Sequence, residues 1–116
     1  MFDKEKRRLL SRKLDLAKTR LTNDEGEKLF ELFNRTELQG IQYTKQHSFT
    51  GTYSGGKYTR MEKKTYTVVS DEFGFGVVET CDIKDDDGYF RSDTIRHTNG
   101  RDILRNVPVD EMIRLN

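Results

Sequence analysis

Polar and nonpolar residues alternate with a period of two over the middle of the chain. In residues 41–53 the even positions are all polar and uncharged, whereas the odd positions are mainly aromatic, aliphatic or cationic. Because successive side chains of a strand point to opposite faces, this pattern predicts a long strand with one mixed aromatic face and one polar face. A second alternating run occupies residues 58–69. Gly55-Gly56, between the two runs, supplies the positive φ angles of a two-residue hairpin turn.

Counting outward from a turn at Gly55-Gly56 gives a register for this hairpin. The predicted opposite pairs are Tyr53 with Tyr58, Phe49 with Glu62, His47 with Lys64, Lys45 with Tyr66 and Tyr43 with Val68. Strands of more than ten residues exceed the usual five or six, so the ribbon must bend over a core or project and find a partner.

The first third of the chain has a helical period instead. Leu10, Leu14, Ala17 and Leu21 recur at spacings of four, three and four, which predicts an amphipathic helix over residues 3–20. Thr22-Asn23-Asp24-Glu25 then offers a capping box, which predicts the end of this helix and the start of another. The apolar positions of the second helix are Leu29, Phe30, Leu32 and Phe33.

The remaining segments predict further antiparallel strands. A third strand is expected at 73–83 and a fourth at 89–98, with the turn between them at 85–88. Asn99-Gly100 is another hairpin signal, and 101–107 is a candidate fifth strand that ends before Pro108.

Together these segments predict a single α+β domain over residues 1–116. Two N-terminal helices lie in 3–38, and a four- to five-stranded antiparallel meander containing one long hairpin lies in 40–107. A short C-terminal tail occupies 108–116.

Composition favours a folded domain of modest core size. Only 33% of the 116 residues are hydrophobic and 35% are charged, but the net charge is +1 and there are 7 Phe and 5 Tyr. The single cysteine, Cys81, excludes an internal disulfide and a cysteine-based metal cluster. No segment approaches the roughly 18 apolar residues of a membrane span, and the N-terminus lacks the apolar segment of a secretory signal. We therefore expect a soluble cytoplasmic protein.

The sequence contains no recognisable catalytic constellation. It has no Gly-x-Ser-x-Gly, Walker loop or Cys/His pair of known spacing. Asp93 and His97 lie four apart on one strand face, too far apart along an extended chain for direct contact. We expect a protein that is not an enzyme and needs neither cofactor nor metal.

One face of the predicted hairpin consists of the odd positions of its first strand and the even positions of its second strand. On this face aromatic rings alternate with cations. Rings can stack on bases while cations meet phosphate, so this face is a candidate ligand surface. The candidate ligand-binding residues are Tyr43, Lys45, His47, Tyr53, Tyr58, Arg60, Lys64 and Tyr66. Tyr53 and Tyr58 are the strongest, because they are predicted to pair beside the turn, at the end farthest from the expected core. Arg60 lies two residues further on the same face, close enough to meet a phosphate or carboxylate held between the rings.

An alternative interpretation gives the same face a structural role. Sheets commonly bury one face against helices, and the charged residues would then lie at the margin of the sheet. The residues that would pack in that case are Ile41, Tyr43, Phe49, Tyr66 and Val68.

The leading functional hypothesis is a non-catalytic binding or inhibitory protein that sequesters or occludes a partner. The partner is expected to be a host protein or a small anionic, nucleotide-like ligand. In its small size, high charge and low cysteine content the chain resembles accessory proteins of bacteriophages, including inhibitors of host defence. This resemblance is one of general character, with no motif behind it.

Two alternatives remain. The first is a nucleic-acid-binding protein that uses the hairpin face and the basic first helix, where residues 3–20 hold eight Lys/Arg and three acids. The second is a structural assembly subunit. Long strands in a chain so poor in apolar residues leave edges to cover, so we also expect a homo-oligomer formed through the hairpin or the first helix.

Overall fold

Four antiparallel strands form one sheet whose order follows the chain. The computed structural model describes residues 1–16, 20–35, 38–71, 74–86 and 88–114, apart from the side chains of Tyr53 and Asp71. Its elements are α1 (Lys4–Lys13), α2 (Asn23–Asn34), β1 (Gln42–Tyr53), β2 (Gly56–Asp71), β3 (Gly74–Asp85), β4 (Phe90–His97), α3 (Gly100–Asn106) and α4 (Val109–Arg114). The sheet order is β1-β2-β3-β4, and each neighbouring pair is antiparallel. The predicted α+β fold, with two N-terminal helices before an antiparallel meander, is confirmed.

Helix α2 begins with the predicted capping box. The Thr22 hydroxyl accepts from the Glu25 N–H at 3.2 Å, and the Glu25 carboxylate accepts from the Thr22 N–H at 2.9 Å. These bonds satisfy two N–H groups that the first turn of a helix would otherwise leave unpaired. The hydrogen bond from the Thr22 backbone is the main reason that the pKa of Glu25 is lowered, and the nearby Arg101 guanidinium of α3 lowers it further.

Helix α1 is shorter than predicted, ending at Lys13 rather than near residue 20. Leu14 is extended (φ −143°, ψ 143°), and Asp15 pairs with the backbone that follows β4. The Asp15 N–H donates to Thr98 at 3.3 Å, and the Asp15 carbonyl accepts from Gly100 at 3.0 Å. This long-range pairing ends the helix. Ala17 of the predicted apolar stripe lies outside the described residues.

The predicted fifth strand at 101–107 is wrong, because this segment forms α3. The Asn99 side chain accepts from the N–H groups of Arg101 and Asp102, at 2.8 and 3.4 Å, and so caps the helix. Asn favours both turns and helix N-caps, which explains why Asn99-Gly100 suggested a hairpin. Within the described chain the strands end at His97, and the predicted tail contains α4.

The hairpin turns at Ser54-Gly55, one position earlier than predicted, and its register is shifted by two residues. The predicted pairing of Tyr53 with Tyr58 is wrong: Tyr53 lies opposite Gly56, and Tyr58 lies opposite Gly51. The other observed pairs that replace predicted ones are Phe49 with Arg60, His47 with Glu62, Lys45 with Lys64 and Tyr43 with Tyr66. A shift of two residues keeps every side chain on its predicted face, because the side-chain period of a strand is two.

The helices cover only one end of this sheet. Among the described residues the buried hydrophobic core consists of Leu10, Leu14, Leu16, Leu29, Leu32, Phe33, Leu38, Tyr66, Val68, Val77, Ile103, Val107, Val109 and Met112. Only Tyr66, Val68 and Val77 of this set belong to strands. The molecule is accordingly long, with extents of 58 × 26 × 25 Å and a radius of gyration of 17.1 Å, against about 13 Å for a compact chain of this length.

Gly56→Val is expected to lower the free energy of unfolding by about 1–3 kcal/mol. Gly56 has φ +138°, a backbone conformation that a β-branched residue resists. Urea unfolding measures the loss. The control, Thr52→Val, changes an exposed residue of the same hairpin and should alter stability by no more than about 0.5 kcal/mol. Equal effects of the two substitutions would contradict the observed turn.

Candidate functional site

The helix-side face of the sheet continues well past the core. Alternate residues of a strand share a face. The sets of opposed residues that follow Tyr66 on the side away from Val68 therefore extend the surface that carries Val68 and Val77. We call this extension the open face; its residues are Lys45, Lys64, Cys81, Asp93, His47, Glu62, Ile83, Arg91, Phe49, Arg60, Asp85, Gly51 and Tyr58.

Four flat side chains stack along the open face and are called here the stacked row: His47, Phe49, Arg60 and Tyr58. The His47 and Phe49 rings have centroids 6.0 Å apart and planes tilted by 30°. The Arg60 guanidinium carbon lies 5.9 Å from the Phe49 ring centroid and 5.4 Å from that of Tyr58. A cation over ring faces is attracted by their quadrupoles, so Arg60 joins the two rings into one surface.

Asp85 fixes the position of Arg60. The Arg60 Nε donates to Asp85 at 2.8 Å and Nη2 donates to the same carboxylate at 3.4 Å. The Asp85 side chain is only 11% exposed, so the pair is partly shielded from water. A two-point contact of this kind holds the guanidinium plane in one orientation, which lowers the conformational cost of binding anything against it.

Gly51 provides the space that the Tyr58 ring occupies. It lies opposite Tyr58 in the hairpin, and a Cβ atom at Gly51 would overlap that ring. A glycine within a strand commonly marks such a close approach to the backbone. The absence of a side chain at Gly51 therefore lets the Tyr58 ring lie against β1.

A shallow depression of about 320 Å³ adjoins the stacked row. It is lined by Arg60, Ile83, Asp85, Tyr89 and Arg91, so the Arg60–Asp85 pair belongs to both features. Tyr89 is 50% exposed at its rim. The lining combines an aromatic ring, an aliphatic side chain and two guanidinium groups, and each guanidinium is paired with a carboxylate.

The charges on the open face are balanced pair by pair. Four cations each lie within 4 Å of a carboxylate: Lys45 with Glu111 (3.8 Å), Arg60 with Asp85 (2.8 Å), Lys64 with Glu62 (3.5 Å) and Arg91 with Asp93 (2.7 Å). Burial disfavours the charged form of Lys64, but the negative charges around it outweigh this effect and raise its pKa. An approaching anion would therefore have to compete with an acid already beside each of these cations.

Two ionisable groups, Cys81 and His97, lie toward the covered end of the sheet. Burial raises the pKa of the Cys81 thiol, with a further contribution from Glu62, so the nucleophilic thiolate is disfavoured at neutral pH. The His97 Nε2 atom lies 2.9 Å from Oε1 of Glu79, and both side chains are largely buried. Among the residues that the structure describes, no group of three or more His, Cys, Asp or Glu side chains could hold a metal ion.

The structure divides the predicted ligand-binding residues into two groups. Tyr66 belongs to the core, with only 3% of its surface exposed, and Tyr43 packs against the core, with the centroids of the two stacked rings 6.4 Å apart. The packing that the alternative interpretation predicts is therefore observed for Tyr43 and Tyr66, together with Ile41 and Val68. It is not observed for Phe49, which is 39% exposed. The predicted residues that lie on the open face are Lys45, His47, Tyr58, Arg60 and Lys64. The side chain of Tyr53 lies outside the described part of the chain.

The contribution of β3 and β4 to this surface does not follow from the sequence. The sequence predicts a turn at Asp85 and a fourth strand that contains Tyr89 and Arg91, with no role in binding for any of the three. Predicting a two-residue connection at 72–73 would have placed Arg60 opposite Asp85, which is the pairing observed between β2 and β3. Glu72-Phe73 contains none of the Gly, Pro, Asn, Asp or Ser residues that mark such a connection.

The chain has no match among protein-family models, curated proteins or solved structures. Of the helices that the structure describes, none combines the length and apolar character needed to cross a membrane.

Proposed function

We propose that this chain is a non-catalytic binding protein whose open face docks on a partner protein and occludes it. The stacked row carries the proposal, because it holds Phe49, Arg60 and Tyr58 in a fixed arrangement on an uncovered surface. Tyr and Arg are among the residues that most often dominate the binding energy of protein interfaces.

The balance of charge favours a protein partner over a nucleotide or a nucleic acid. Affinity for nucleic acid depends on cations that can neutralise phosphates and release counterions. On the open face Lys45, Arg60, Lys64 and Arg91 each lie beside an acid instead. Aromatic side chains among paired charges are typical of protein interfaces, in which a well-packed centre is surrounded by a polar rim.

The shape of the site favours occlusion over sequestration of a small ligand. Small-molecule sites are usually concave and bury most of their ligand. The depression beside Arg60 is shallow, whereas the sheet that carries it belongs to a molecule 58 Å long. A surface of this kind suits the coverage of a partner's exposed face.

The basic first helix supports nucleic-acid binding less well. Lys6 of α1 pairs with Glu27 of α2 at 3.1 Å, and the Lys13 ammonium donates to the Phe33 carbonyl at 3.3 Å. Two of its cations therefore help to pack α1 against α2. Binding of nucleic acid or of a nucleotide-like anion remains an alternative that the experiments below distinguish.

Immobilised protein is expected to capture one partner protein from extracts of the cells in which it occurs, with Tyr58→Ala losing that partner. The matched control is Thr59→Ala, which changes the adjacent exposed residue on the opposite face of β2. The captured protein is then purified and titrated calorimetrically against all three forms. Supporting results are saturable binding by the wild type and Thr59→Ala, and its loss in Tyr58→Ala.

Two results would overturn this proposal. Retention on a polyanion column that falls steeply with salt and is unchanged in Tyr58→Ala would indicate nucleic-acid binding elsewhere on the chain. A rise in melting temperature with a nucleotide, following mass action, would indicate a small anionic ligand.

A further inference from the structure

Strand β4 is an edge strand with apolar side chains exposed along it. It pairs with β3 on one side, and no described strand pairs with its other side. Tyr89, immediately before β4, and Phe90 and Ile95 within it are 50%, 63% and 56% exposed, and they make up half of the six exposed large hydrophobic residues in the described chain. Exposed edges of this kind are templates for pairing with another strand.

The opposite edge of the sheet differs in character. Strand β1 carries Lys45 on its helix-side face, and its other face is entirely polar and uncharged. Lys on an edge strand is a common protection against edge-to-edge pairing. Its one exposed large hydrophobic side chain among the described residues, Phe49, already belongs to the stacked row. Strand β4 is also charged, but it exposes Phe90 and Ile95, and Tyr89 beside it, so its edge is the better candidate for association.

We propose that β4 pairs antiparallel with β4 of a second copy, about a two-fold axis at Ser92, to form a continuous eight-stranded sheet. Charge complementarity selects this register. Arg91 and Asp93 flank Ser92 on one face, so a two-fold axis there sets Arg91 of each copy opposite Asp93 of the other. Each copy already holds these two side chains 2.7 Å apart, and pairing would join them into an alternating group of four charges.

The same register also pairs the exposed apolar residues of the open-face side. Tyr89 of one copy lies opposite Ile95 of the other, and this contact occurs twice across the axis. Cross-strand aromatic–aliphatic pairs stabilise sheets. One choice of axis thus satisfies both the charges and the two exposed apolar side chains on the open-face side, Tyr89 and Ile95, and this distinguishes a second copy from an unrelated strand.

Pairing about an axis normal to the sheet leaves both open faces on one side of the dimer. The strands of the two copies run in opposite directions, so the two stacked rows lie toward opposite ends. The dimer would therefore present two binding surfaces to the same side. Arg91 and Asp93 also belong to the open face, but the inference concerns the edge of the sheet and is tested by mass alone, so its failure is distinguishable from a failure of the proposed function.

Sedimentation equilibrium at micromolar concentrations is expected to show a dimer. Arg91→Asp and Asp93→Arg, each alone, place like charges opposite one another twice and should raise the dimer dissociation constant by about 100-fold or more. An equimolar mixture of the two variants should form a heterodimer, because every opposed pair is again complementary. The double variant Arg91→Asp/Asp93→Arg should recover the homodimer for the same reason.

A monomer at all these concentrations would overturn the inference, and so would a dimer that both single reversals leave intact. Arg91 and Asp93 are 59% and 50% exposed, and circular dichroism checks that the variants fold.

A second measurement uses Ser92→Cys in a Cys81→Ser background with a short bis-maleimide. Cross-linked dimers are expected for Ser92→Cys but not for Ser48→Cys on β1, and their absence for Ser92→Cys would also overturn the inference.

Discussion

Phe33→Ala is expected to lower the free energy of unfolding by about 3–5 kcal/mol, a large share of the roughly 5–15 kcal/mol that typically stabilises a domain. Phe33 is 1% exposed on α2, and its ring meets Phe75 of β3 edge to face with centroids 6.1 Å apart. It therefore joins the helices to the covered end of the sheet. Its truncation would leave a cavity that the surrounding core cannot fill, and urea unfolding measures the loss.

Phe49→Ala is the matched control, because it makes the same chemical change on the open face. Phe49 is 39% exposed, and its ring contacts Arg60 and His47. Its loss should cost about 1 kcal/mol, the order of an exposed cation–π contact. Equal destabilisation by the two substitutions would mean that the open face is packed as tightly as the core, contrary to the structure.

Tyr58→Ala and Arg60→Ala are each expected to weaken binding of the partner protein by about 30-fold or more, which corresponds to about 2 kcal/mol. Tyr58→Ala removes the ring that lies against Gly51, and Arg60→Ala removes the group that joins the two rings. Both side chains lie outside the core, so the domain should stay folded. Calorimetric titration gives the dissociation constants.

Thr50→Ala, on the opposite face of β1, is the control for these titrations and should leave affinity unchanged. Unfolding free energies of all three variants are measured in parallel. If the loss of affinity only follows a loss of stability, Tyr58 and Arg60 have a structural role in the hairpin and the assignment of the site is wrong.

The faces of the hairpin could be predicted from the sequence, but its register could not. Gly55-Gly56 and Ser54-Gly55 both give two-residue turns, and the two registers put the same residues on the same faces. The choice depends on packing across the strands, including the fit of Tyr58 against Gly51. Local patterns contain no information about that contact.

The helix boundaries show the same division between local and long-range causes. The capping box at Thr22 acts within four residues, and its prediction is confirmed. The end of α1 depends on the pairing of Asp15 with the backbone around Asn99, more than eighty residues away. The site was predictable in part for a related reason. Alternation within one strand places Arg60 and Tyr58 on the same face, whereas Asp85 comes beside them only through the pairing of β2 with β3.

The separation between a covered and an uncovered end of the sheet affects how this sequence can evolve. Substitutions at Leu29, Phe33 or Val77 act on the core and reduce the fraction of molecules that fold. Exposed positions far from the helices, such as Phe49, tolerate change at small cost to stability. The open face can therefore diverge quickly in sequence while the fold is retained.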